Sequence, residues 1–114
     1  MPSSPALPLV VQGWQLQTGE LRPEQIVDLR TEDRFARGRL AGAINLPYAQ
    51  FQGEAEERLD AARSVLVVDP AGARAAEMAV WLRARGFVAG YLEGGMAAWT
   101  GPLERDHGAP PAAG

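Results

Sequence analysis

The stretch best placed to do chemistry is the six-residue loop Asp69-Pro70-Ala71-Gly72-Ala73-Arg74, set between the apolar run VLVV and a segment of helical periodicity. A loop handing a strand to a helix presents backbone N–H groups at the positive end of the helix dipole, which makes it a cup for an anion. An enzyme using the cup as a nucleophile pocket would place its reactive atom on the loop's first residue, which is Asp69. Its carboxylate can accept hydrogen bonds from the loop N–H groups and pair with Arg74. Two readings follow, an internal cap that fills the cup or part of a ligand-binding loop, and the first is the simpler. Pro70 suits a helix-start or turn position, where its missing N–H costs nothing. An incoming inorganic anion would meet a fixed negative charge, and two unit charges about 4 Å apart repel by roughly 4 kcal/mol at an effective dielectric near 20. Weak binding of small anions is the expectation.

The missing residue types narrow the chemistry. The chain has no cysteine, which excludes thiolate, persulfide and disulfide chemistry and every Cys-based metal site within it. All 11 basic residues are arginine, so no lysine can form a Schiff base or act as a general base. The single histidine, His107, lies in the sequence RDHGAPPAAG, where a solvated bystander is the expectation. Glu56 and Asp60 stand four apart and could share a hard cation, but a charged run on a surface helix is ordinarily just a solvated face. No metal and no cofactor is expected. Arg30, Arg34, Arg37 and Arg39 alternate with Glu32 and Asp33, a pattern that favours internal pairs over a recognition patch.

Strands and helical segments alternate along the chain to position that loop. Leu9 to Val11 reads as a first strand, and GWQLQTG as a short helix or turn with Trp14 and Leu16 facing inward. Ile26 to Leu29 reads as a second strand. TEDRFARG follows as a short helix with acids early and arginines late, the sense its dipole prefers, closed by Gly38. Ala43 to Leu46 is a third strand stopped by Pro47. YAQFQGEAEERLDAAR is an amphipathic segment with Leu59 and Ala62 available for packing. The continuously apolar Val65 to Val68 suits a parallel strand covered on both faces. In the next helix, roughly Ala73 to Arg85, the residues Ala75, Met78, Ala79 and Leu82 form a stripe at i, i+3, i+4, i+7, and Gly86 supplies the stop. Phe87 to Leu92 is a fifth strand, and GGMAAW a last short helix packing through Met96 and Trp99. The pattern predicts an α/β domain, its largely parallel sheet carrying the ligand edge at the carboxyl ends of the strands.

With 114 residues there is room for one core. The predicted division is a flexible lead-in over 1–8, one domain over 9–103 and a flexible tail over 104–114. The 14 acidic residues outnumber the basic ones, against nucleic-acid binding. No apolar run approaches the roughly 20 residues a membrane span needs, and MPSSPALPLVV lacks the charged start and unbroken apolar segment of a signal peptide. A cytoplasmic location is the expectation.

Three ordered blocks resemble the rhodanese-like (rhodanese homology) domain: DLRTEDRFARGRLAGAINLP from Asp28 to Pro47, VLVVDPAGARA from Val65 to Ala75, and YLEGGMAAW from Tyr91 to Trp99. The resemblance covers roughly Leu9 to Leu103. It implies a single α/β domain with a central five-stranded parallel sheet flanked by helices. In active members the loop begins with a cysteine that cycles a persulfide, passing sulfur from thiosulfate or a similar donor to a thiophilic acceptor. Gly72 and Arg74 fall on matching loop positions. Asp69 stands at the cysteine's position, Ala75 where a Ser is common, and Arg39 where a His is common. The resemblance thus implies a domain inactive as a sulfurtransferase, with no catalytic residue. Its expected role is a binding or regulatory module for an unknown protein partner or a weakly bound small anion. The alternative is a thiosulfate sulfurtransferase-type enzyme that borrows a partner's thiol or uses an unrecognised mechanism.

Overall fold

Four consecutive aliphatic residues make β4 (Val65–Val68), and each of them is fully buried in the computed structural model, which describes residues 6–106. Only the middle strand of a sheet covered on both faces has such an environment. Around it run β1 (Val10–Val11), α1 (Gly13–Gln17), β2 (Gln25–Asp28), α2 (Glu32–Arg37), β3 (Ile44–Asn45) and α3 (Tyr48–Arg58). After β4 come α4 (Ala73–Arg83), β5 (Ala89–Leu92) and α5 (Gly95–Ala98). The five strands form one parallel sheet in the order β1-β5-β4-β2-β3. This is the five-stranded parallel sheet between helices that the sequence predicts.

The two-residue period of the strands divides the core. Val65 and Val67 face a layer built from Phe51, Ala55 and Leu59 of the α3 region and from the predicted α4 stripe of Ala75, Met78, Ala79 and Leu82. Leu66 and Val68 face the other side, with Val11, Leu40 and Leu92, against which Leu16, Met96 and Trp99 pack. Truncating a fully buried member of the stripe such as Leu82 to Ala would cost about 2–5 kcal/mol.

Some inward-facing positions differ from the sequence reading. Trp14 is 55% exposed. Residues 14 and 16 lie about 200° apart around a helix, so a single turn cannot direct both at the sheet, and Leu16 takes that place. Ala62 is exposed because α3 ends at Arg58 and the chain then turns. Phe51, four residues before Ala55 on the same helix face, supplies the packing instead.

The packed part also reaches beyond 9–103 at both ends. Leu7 is 5% exposed, and its carbonyl accepts a hydrogen bond from the Arg83 guanidinium at 2.9 Å. Glu104 pairs with Arg39 in an antiparallel bridge, and the Asp106 amide donates to the carbonyl of Ala36 at 2.9 Å. The predicted lead-in and tail are thus anchored at 7 and at 104–106. Residues 1–5 and 107–114, His107 included, lie outside the described residues.

Candidate functional site

Asp69 leaves the end of β4 at the carboxyl edge of the sheet, and its side chain turns back onto the start of α4. One carboxylate oxygen, Oδ1, accepts the Gly72 amide at 2.6 Å. The other, Oδ2, accepts the amides of Arg74 at 3.0 Å and Ala75 at 3.1 Å. The residue is 2% exposed. Gly72 reaches φ +109, a left-handed conformation that suits a residue without Cβ, and this bends the chain around the carboxylate. The cup is therefore occupied by a side chain of the loop itself, and of the two readings of Asp69 the internal cap describes its geometry.

The back of the loop is fixed by α5. The amides of Met96 and Ala97, both in the first turn of α5, donate to the carbonyls of Asp69 at 2.8 Å and Pro70 at 2.9 Å. Gly95 makes this approach possible. A Cβ there would lie 2.5 Å from the Ala71 nitrogen and 2.6 Å from the Asp69 carbonyl oxygen, at a backbone φ of +62. Gly95 is thus explained by a close contact between two backbones, and Gly94 by its φ of +77 and by the Ala98 Cβ that a side chain there would meet at 2.7 Å.

Arg74 takes two separate roles. Its amide serves Asp69, but its guanidinium, which the sequence reading pairs with the carboxylate, lies over the Tyr48 ring, 4.4 Å from the centroid. The Tyr48 hydroxyl donates to Glu77 Oε1 at 2.6 Å. That hydrogen bond raises the Tyr48 pKa above its ordinary value of 10.0, helped by burial and by the Glu77 charge, while Arg74 opposes the shift. Sequence reasoning missed the Tyr48–Glu77 pair. The two residues are 29 positions apart, and only the packing of α3 beside α4 joins them.

Three arginines of the first block, Arg30, Arg37 and Arg39, make internal contacts. Arg30 grips the fully buried Asp28, its Nε donating to Oδ1 at 3.0 Å and its terminal nitrogen to Oδ2 at 2.8 Å, and it also donates to the carbonyl of Gly38. Asn45 joins the same frame by donating to the carbonyls of Asp28 and Arg30. Arg37 pairs with Asp33. Arg39 lies over the Phe35 ring at 4.6 Å and forms an ion pair with Asp106 at 2.8 Å, so it holds the 104–106 stretch in place.

Glu56 and Asp60 are used separately. Glu56 pairs with Arg85 at 3.5 Å, and Asp60 Oδ1 accepts the Ala62 amide at 2.9 Å. Among the described residues no group of three or more His, Cys, Asp or Glu side chains is placed to hold a metal ion. Among the same residues no helix is long and apolar enough to cross a membrane.

A groove of about 590 Å³ lies away from the loop, between the 16–23 stretch, residues 40–41 and the 99–104 stretch, with Ile26 also lining it. Nothing in the sequence singles it out, because its walls come from three distant stretches.

The comparisons with known proteins agree with this geometry. The rhodanese-like domain family matches the chain over residues 13–102. The uncharacterized protein YibN of Escherichia coli strain K12 is 39% identical over 88 residues, which take in 70% of this chain. The matched region spans 60% of that relative's length. Among solved structures, a rhodanese-like domain protein from Staphylococcus aureus is similar with a TM-score of 0.70 and 27% identity, covering 91% of this chain and 98% of that one. The rhodanese-like domain of the Alr3790 protein from Anabaena sp. gives a TM-score of 0.76 at 25% identity, covering 95% of this chain and 87% of that one. The chain belongs to the rhodanese-like domain family.

Proposed function

We propose that this chain is a binding or regulatory module on a rhodanese-like frame, inactive as a sulfurtransferase. The observation that carries the reading is the Asp69 carboxylate, held by three backbone amides in the cup where active relatives keep a thiolate. A carboxylate there balances the loop's positive field but does not attack sulfane sulfur, and the chain has no cysteine to replace it. The partner is a protein or a weakly held small anion meeting the carboxyl edge of the sheet. Exposed there are Pro70, Ala71 and Ala73, and the Arg74 guanidinium stacked on Tyr48. That guanidinium has no ion pair among the described residues and offers a preset cation to a partner's carboxylate. A cytoplasmic location is part of the same proposal, and cell fractionation tests it.

The test is sulfur transfer from thiosulfate to cyanide. Purified protein is expected to give no thiocyanate above the protein-free background, and its intact mass is expected to be unchanged by thiosulfate. Turnover, or an added sulfur atom, would overturn the reading and favour an enzyme with an unrecognised mechanism. Repeating the assay with a thiol-bearing protein fraction exposes one that borrows its thiol. The Asp69→Cys variant adds a positive control: its thiolate would attack the sulfane sulfur, release sulfite and pass the sulfur to cyanide as thiocyanate.

A further inference from the structure

We propose that the groove between α1 and the 99–104 stretch binds a small amphipathic monocarboxylate, its apolar body against Trp99 and its charge on Arg22. This site is separate from the Asp69 loop and does not depend on the function proposed for it. Leu16, Leu21, Ile26, Leu40, Trp99 and Leu103 line the groove, and Leu103 remains 47% exposed. A concave apolar lining with a few polar groups, at a volume within the roughly 300–1,000 Å³ of small-molecule sites, is the usual form of such a site.

The polar groups of the lining select the ligand. The Gln17 amide donates to the Thr100 hydroxyl at 3.2 Å, and the Trp99 indole N–H donates to the Pro102 carbonyl at 3.1 Å. The Glu104 carboxylate accepts the Gly42 amide at 3.3 Å. Arg22 differs from these three. Its Nε donates to the carbonyl of Gly19 at 3.3 Å, while its terminal nitrogens carry no hydrogen bond or ion pair among the described residues. A planar guanidinium with free N–H groups matches a carboxylate in two parallel hydrogen bonds. A neutral hydrocarbon would leave that cation unanswered. An inorganic anion would gain nothing from the apolar lining. Glu104, in the same lining, opposes negative charge in proportion to its size, so among anions with an apolar body a monoanion is favoured over a dianion.

The probe is octanoate, titrated below its micelle concentration into the labelled full chain and followed by amide and indole NMR shifts. Saturable shifts are expected at the Trp99 indole N–H and the amides of Ala41 and Leu103, with octan-1-ol and octyl phosphate binding at least about tenfold more weakly. Arg22→Ala, a change at an exposed side chain, is expected to weaken octanoate about tenfold and leave octan-1-ol unchanged. Ala41→Trp, also at an exposed position, fills the groove without touching the core and is expected to abolish the shifts. The proposal is overturned if octanoate gives no saturable shift, if octan-1-ol binds as well as octanoate, or if either variant binds octanoate like the parent chain.

Discussion

The carboxylate of Asp69 accepts the amide of Gly72 at 2.6 Å, so the residue that opens the loop also caps the helix that closes it. Hydrogen bonds to a charged acceptor each contribute about 1.5–3 kcal/mol, and truncation would strand amides that now have a buried partner. Asp69→Ala is therefore expected to cost about 2–4 kcal/mol in urea unfolding, with Asp69→Asn intermediate because its NH2 group would face N–H donors. In Asp69→Ala, added formate should restore part of the melting temperature in a concentration-dependent way, by occupying the emptied cup. A variant as stable as the parent would show that the cap contributes nothing.

Arg30 and Asp28 form the second buried charge arrangement. Removing Arg30 leaves a fully buried carboxylate without its counter-ion, so Arg30→Ala is expected to destabilise by about 3–5 kcal/mol. Adding Asp28→Asn to that variant should return part of the loss, because no unpaired charge remains. A double-mutant cycle in denaturant measures the coupling.

Two glycines give a paired test of backbone geometry. Gly95→Ala would drive a methyl group into the loop backbone at a left-handed φ, and loss of the native fold or several kcal/mol of stability is expected. Gly53 sits inside α3, where a Cβ would meet nothing within 4 Å. Gly53→Ala should stabilise by about 0.5–1 kcal/mol in the same unfolding experiment.

Tyr48 supplies a pH prediction. Its pKa is raised in the folded state, chiefly by the hydrogen bond to Glu77, so the folded chain holds this proton more tightly than the unfolded one. The corresponding stability is fully present below about pH 10 and is lost as pH rises through the folded-state value. Comparing alkaline unfolding of the parent chain with Tyr48→Phe should show the steeper decline in the parent. Spectrophotometric titration should place one tyrosine above the ordinary value.

The parts of the fold legible in the sequence were those with a strong local signal. VLVV could only be a strand covered on both faces, and Ala75, Met78, Ala79 and Leu82 could share one helix face only by packing on it. Asp69 was legible for a related reason, since its place between strand and helix fixes what its carboxylate can reach. Trp14 was not, because a helix of five residues has too few positions for its period to choose a face. The guanidinium of Arg74 turns to Tyr48 and that of Arg39 to Asp106, choices set by neighbours far away in sequence. The groove was beyond reach for the same reason, being made of three stretches that meet only when the sheet is complete.

The outermost strands, β1 and β3, are each two residues long, and Pro8 and Pro47 stand two positions before the one and two after the other. A margin so short presents almost no run of open main-chain donors and acceptors on which a foreign strand could lengthen the sheet. Strand addition at either margin, the β-augmentation mode of recognition, is thereby disfavoured.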